Sequence, residues 1–236
     1  MKQTLPALAV LAVLTACATT ASLPPTTGPL NANVKLVMYY EWGVGDYATS
    51  YGVNQIEAQT QAKYGAQVQT VDPVTWTAYG SIAAAMSAVP KSVKVGVMGY
   101  SCGGSTELGA ASQASRSVAL VEGVQVSPYC PPYFTTLAAN VQEAVEVYNP
   151  VWVDTLGLGS MLWQCGTGFN CSNFTAVERD DSHPYAALDP DTQADMVAAV
   201  ATVLKPAAAM MFGAARGSRV PGAFNHVLRH AGQPLF

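Results

Sequence analysis

From Val34 onward, short apolar runs rich in β-branched residues alternate with longer segments of small and polar residues. The runs at Val34–Tyr40, Gln67–Val71, Val93–Gly99, Val118–Val126, Ala144–Tyr148 and Phe174–Glu178 have the length and composition of strands. Between them, "YATSYGVNQIEAQTQAKYG", "WTAYGSIAAAMSAVP" and "STELGAASQAS" read as helices, the last two rich in alanine. A final helix is expected over Pro190–Leu204, with Asp191 and Thr192 as candidate caps and Pro206 as the stop. Strands alternating with helices predict an α/β fold, a three-layer, doubly wound, mostly parallel sheet of about six strands. No internal repeat is visible.

The chain has 236 residues, half of them apolar, which suits one domain with a sizeable core. Only 11% of residues are charged and the net charge is -4, so charge gives no support to a nucleic-acid partner or an anionic membrane surface. The amino end has one lysine, then about a dozen apolar residues, then small ones, as secretory signals do, and the apolar stretch is too short to span a bilayer. Within it "LTAC", Leu14 to Cys17, resembles the lipobox of bacterial lipoproteins, whose cysteine is acylated and begins the mature chain. That resemblance implies a signal over residues 1–16, lipidation at Cys17 and a Thr- and Pro-rich tether over 17–33, ahead of a folded domain at 34–205. The product so implied is an exported protein held in the bacterial cell envelope by its lipid anchor alone. An ordinary cleaved signal, cut after Ala18 or Ala21, would leave it secreted.

Export changes the meaning of the cysteines. Cys102, Cys130, Cys165 and Cys171 are an even set in a compartment where disulfides persist. The short glycine-bearing loop "CGTGFNC" favours a Cys165–Cys171 bridge, with Cys102–Cys130 as the second pair and buried free thiols as the alternative. No cysteine and histidine spacing suggests zinc, and no metal is expected. In the tail at 206–236, to which no fold is assigned, His226 and His230 stand four apart, but a solvated helix end explains them more simply than a metal site.

The chemistry concentrates in "VMGYSCGGSTELG", Val97 to Gly109, which follows a strand and opens a helix. In Gly99-Tyr100-Ser101-Cys102-Gly103, glycines flank the serine two positions away on each side, where side chains would collide in a tight strand-to-helix turn. This G-x-S-x-G resembles the nucleophile elbow of the α/β-hydrolase superfamily, with Ser101 as its exposed tip. A plain βα turn is the bland alternative. Nothing in the sequence supplies a base or a lowered pKa for a Cys102 thiolate, so its backbone N–H is the expected working part.

A serine hydroxyl needs a base. His183, in "ERDDSHPYAALDP", lies after the last strand and before the last helix, where the superfamily carries its catalytic histidine; a turn residue is the alternative. Family order puts the orienting acid after "AVEVY". Asp154 is the nearest carboxylate there, Asn149 is closer but neutral, and Asp180 or Asp181 beside His183 could serve by another geometry. The resemblance places one oxyanion donor at the Cys102 N–H and another in "YYEWGVGDYA", at Gly43 or its neighbours Trp42 and Val44.

The resemblance covers most of Val34–Leu204 and implies a minimal, cutinase-sized version, lacking two early strands and an obvious lid. Trp152, Leu156, Leu158, Met161 and Trp163 would line an apolar groove or belong to the core. The implied activity is hydrolysis of a carboxylic ester, small or lipid-like, through an acyl-serine and without a cofactor. An acyltransferase with the same triad, and a non-catalytic envelope lipoprotein using the fold as a binding module, remain alternative readings.

Overall fold

The structure is a computed structural model and describes residues 30–45, 50–127, 130–150, 162–181, 183 and 185–205. Six strands form the central path of one sheet: β1 (Leu36–Trp42), β2 (Val68–Thr70), β4 (Lys94–Tyr100), β5 (Val118–Val124), β7 (Val141–Tyr148) and β9 (Phe174–Glu178). Their order is β2-β1-β4-β5-β7-β9 and every pairing is parallel. The two-residue β3 (Val74–Thr75) adds to β1 beyond the end of β2 and makes the seventh strand. A separate pair joins β6 (Thr136–Leu137) to β8 (Gln164–Cys165). All six expected strands are present. β3, β6 and β8 are too short to carry any periodicity, and so were not expected.

Period-2 alternation sends successive β1 side chains to opposite faces, and both faces are covered. On one, Val37, Tyr39, Val95, Val97 and Val121 pack under Ile82 and Met86 of α2 (Tyr79–Ala88) and Leu108 and Ala111 of α3 (Cys102–Gln113). On the other, Leu36, Met38, Met98, Leu120 and Val147 meet Val53 and Ile56 of α1 (Tyr51–Tyr64) and Met196 and Val200 of α4 (Pro190–Leu204). Each such side chain, fully buried, contributes about 1.5–3 kcal/mol. Helix α3 is buried from Cys102 to Ala111, because its glycines, serine and alanines let it lie close on the sheet.

Helix α4 begins where the pattern predicts, but its cap is different. The Thr192 N–H donates to Asp189 Oδ1 at 2.7 Å, so Asp189 caps the helix ahead of Pro190, in place of Asp191 or Thr192. By contacts the chain divides after Leu204, and beyond it only Lys205 is described; the tail, with His226 and His230, lies outside the described residues. So do the amino-terminal segment with Cys17, and Trp152, Asp154, Leu156, Leu158 and Met161. Among the described residues no helix is long and apolar enough to cross a membrane.

Candidate active site

The turn from β4 into α3 is shaped by its glycines. A Cβ on Gly99 would run into the Gly103 backbone, and one on Gly103 would stand 2.6 Å from the Glu41 carbonyl oxygen and 2.8 Å from that of Trp42. Between them Ser101 takes φ 57° and ψ -117°, a backbone state costing a non-glycine residue about 1–3 kcal/mol. Two hydrogen bonds hold it there: Ser101 N–H donates to the Val124 carbonyl at 3.0 Å, and Ser127 N–H donates to the Ser101 carbonyl at 3.0 Å. The strand-turn-helix context expected for the motif is therefore present.

Ser101 is not an exposed tip, however: only 7% of it reaches solvent. The turn after β1 closes over it, so near that a Cβ on Gly43 would stand 2.8 Å from Ser101 Cβ. His183, itself 4% exposed, comes in from the loop after β9, and its Nε2 lies 2.8 Å from Ser101 Oγ. Residues 82 positions apart thus meet as nucleophile and base would have to meet. The Tyr100 hydroxyl donates to the His183 carbonyl, and the Tyr100 ring lies 5.4 Å from the imidazole.

Of the candidate acids, Asp154 lies outside the described residues. Asp180 is exposed. Asp181 is half-buried, and burial, then the neighbouring Asp189, raises its pKa. What Asp181 presents to the site is its main chain: its carbonyl accepts from Gln125 Nε2 at 2.6 Å and Asn149 Nδ2 at 2.9 Å.

Cys102 opens α3, so its N–H is one of the amides a helix leaves unpaired at its start. Gly43 N–H is engaged, donating to Ser50 Oγ at 2.9 Å. Trp42, half-buried, donates its indole N–H to Asn54 Oδ1 at 2.9 Å. Both expected cysteine pairs are joined, Cys102–Cys130 with Cα atoms 5.3 Å apart and Cys165–Cys171 with Cα atoms 5.8 Å apart. The first ties the residue after Ser101 to the segment following β5. Trp163 is core: 3% exposed, it packs over Gly123 and lies 6.2 Å from the Phe174 ring.

Beneath the elbow lies a feature the sequence reading missed. Glu41, Glu107, Glu122 and Glu146 are all buried, and burial pushes each carboxyl well above its usual range. Thr106 Oγ1 donates to Glu41 Oε2 at 2.5 Å, and Trp163 N–H donates to Glu146 Oε2 at 2.8 Å, each partly opposing the rise. Glu107 is raised further by the other three glutamates. A signal was available in "AVEVY" and "VALVEGVQV", where a glutamate interrupts an otherwise apolar strand.

No family model matches the chain, and no curated protein sequence matches it. Solved structures superpose on it. An alpha/beta-superfamily protein from Xanthomonas campestris pv. campestris does so at 12% identity and TM-score 0.48, over 70% of this chain and 98% of its own. Zea mays acyl-protein thioesterase 2 matches at 12% identity and TM-score 0.47, over 75% of this chain and 97% of its own. A cutinase-like protein from Cryptococcus sp. matches at 13% identity and TM-score 0.43, over 75% of this chain and 98% of its own. The likeness is in the path of the chain, and the chemistry of the site rests on its own residues.

Proposed function

We propose that the chain is a serine hydrolase that cleaves a carboxylic ester through an acyl-serine. The observation that carries this reading is the 2.8 Å approach of His183 Nε2 to Ser101 Oγ at a strained strand-to-helix turn. His183 takes the hydroxyl proton as Oγ bonds to the ester carbonyl carbon, then gives it to the departing alcohol oxygen as the C–O bond breaks. Water repeats the sequence on the acyl-serine: its proton passes to His183, its oxygen bonds to the acyl carbon, and Ser101 leaves with the proton restored. No cofactor enters the balance.

Asp154 is the carboxylate assigned to hold the imidazole in the accepting tautomer. The Cys102 N–H, at the positive end of α3, is assigned to the developing oxyanion. Gly43 gives the backbone its close approach to Ser101, and its N–H has to exchange Ser50 Oγ for the oxyanion if it is the second donor. The cysteine pairs support an exported chain, in which Cys17 is the assigned lipid anchor.

The test uses a 4-nitrophenyl ester of a short acid and a fluorophosphonate probe. Wild-type protein should hydrolyse the ester and be labelled at Ser101. Ser101→Ala and His183→Ala should each lose on the order of 10⁴-fold in kcat, because such residues act as a unit. Retained turnover in folded Ser101→Ala would refute the mechanism.

A further inference from the structure

His183 lies between β9, which ends at Glu178, and the helical turn that begins at Ala186. Two carbonyls of this stretch, those of Asp181 and His183, accept hydrogen bonds from three side chains at three adjacent strand ends. Tyr100 is the last residue of β4, Gln125 the first after β5 and Asn149 the first after β7, and these strands are neighbours in the sheet. Tyr100 holds the His183 carbonyl, while Gln125 and Asn149 together fill both acceptor positions of the Asp181 carbonyl. All three are buried, at 4%, 1% and 9% exposure.

Gln125 shows that the arrangement is built at some cost. Its backbone has φ 43°, in the region that favours glycine, yet its N–H still donates to the Val147 carbonyl at 2.7 Å. The bend carries the chain off β5 while the amide reaches Asp181. Resting on the Ser101–His183 reading, we propose that Tyr100, Gln125 and Asn149 are positioning residues of the reaction, a three-point clamp on the histidine loop that sets the Ser101–His183 distance. Their role is played before substrate arrives. None of them has to touch it.

The clamp makes a distinctive kinetic prediction. A misplacement of about 1 Å in a reacting group can lower the rate by about 10²-fold. Tyr100→Phe, which removes one oxygen, should lower kcat about tenfold with KM within twofold of wild type. Gln125→Met and Asn149→Leu each leave Asp181 one partner and should cost several-fold; the double variant leaves none and should cost about 10²-fold. The rate of fluorophosphonate labelling at Ser101 should fall in parallel, since it reads the same proton transfer without a substrate pocket. Thermal melts confirm folding, and Tyr100→Phe carries the test should the double variant not fold.

Unchanged kcat and labelling in Tyr100→Phe and the double variant, with Ser101→Ala and His183→Ala inactive, would overturn the clamp and leave the serine mechanism standing. A rise in KM at constant kcat would overturn it too, making these residues part of a substrate wall. Turnover by Ser101→Ala would bring down the serine mechanism and the clamp with it.

Discussion

Replacing Glu107 with glutamine should change how stability depends on pH. Glu107 is fully buried in α3, and both its carboxyl oxygens lack a hydrogen-bond partner among the described residues. Unfolded, its carboxyl titrates near 4.5; folded, burial first, and then Glu41, Glu122 and Glu146, hold its pKa well above that. Between the two values the native protein keeps a proton that the unfolded chain has released. Stability is then complete below about 4.5 and falls as pH rises, by about 1.4 kcal/mol per pH unit for such a group, until the folded carboxyl ionises. This is the reverse of a salt-bridged acid, which stabilises at high pH.

Glutamine keeps the shape and carries no titrating proton. Urea unfolding with the disulfides intact, at pH 5, 6 and 7, should therefore give Glu107→Gln a shallower dependence than wild type, by up to about 1.4 kcal/mol per pH unit while the folded carboxyl keeps its proton. Any fixed cost of the buried amide shifts the variant's curve vertically and leaves its slope alone. Parallel curves for the two proteins would refute the reasoning, since they would mean that Glu107 titrates alike in both states.

Asp154→Asn should lower kcat by about 10⁴-fold, whereas Asp180→Asn and Asp181→Asn should change it only several-fold, because Asp180 is exposed and Asp181 serves the site through its main chain. Steady-state kinetics of the three variants ranks them. Gly103→Ala would drive a Cβ against the Glu41 and Trp42 carbonyl oxygens, which are backbone and cannot swing away; a loss of about 1–3 kcal/mol in unfolding experiments, with weakened turnover, is expected. Peptide mapping without reduction should link Cys102 to Cys130 and Cys165 to Cys171. Mass spectrometry of the natively expressed protein should find an acylated Cys17 at the amino terminus, and an unmodified start at Thr19 or Ser22 would make it a secreted protein instead.

Local pattern was enough for the alternation of strands and helices, for α4 to the residue, and for the strand-turn-helix around Ser101, since each depends on residues a few positions apart. The glycines at 99 and 103 speak through sterics that act within one turn. Even the pairing of Cys165 with Cys171 is a matter of six positions. Partners brought together by strand order are another matter. Tyr100 and His183 are 83 positions apart, Gln125 and Asp181 56, Glu41 and Thr106 65, and only the sheet order makes them neighbours. The buried glutamates show where the line falls. A glutamate interrupting an apolar strand, as at Glu122 and Glu146, hints at burial, but the groups that meet the carboxyls come from elsewhere in the chain, Thr106 to Glu41 and the Trp163 N–H to Glu146, and no single strand contains them.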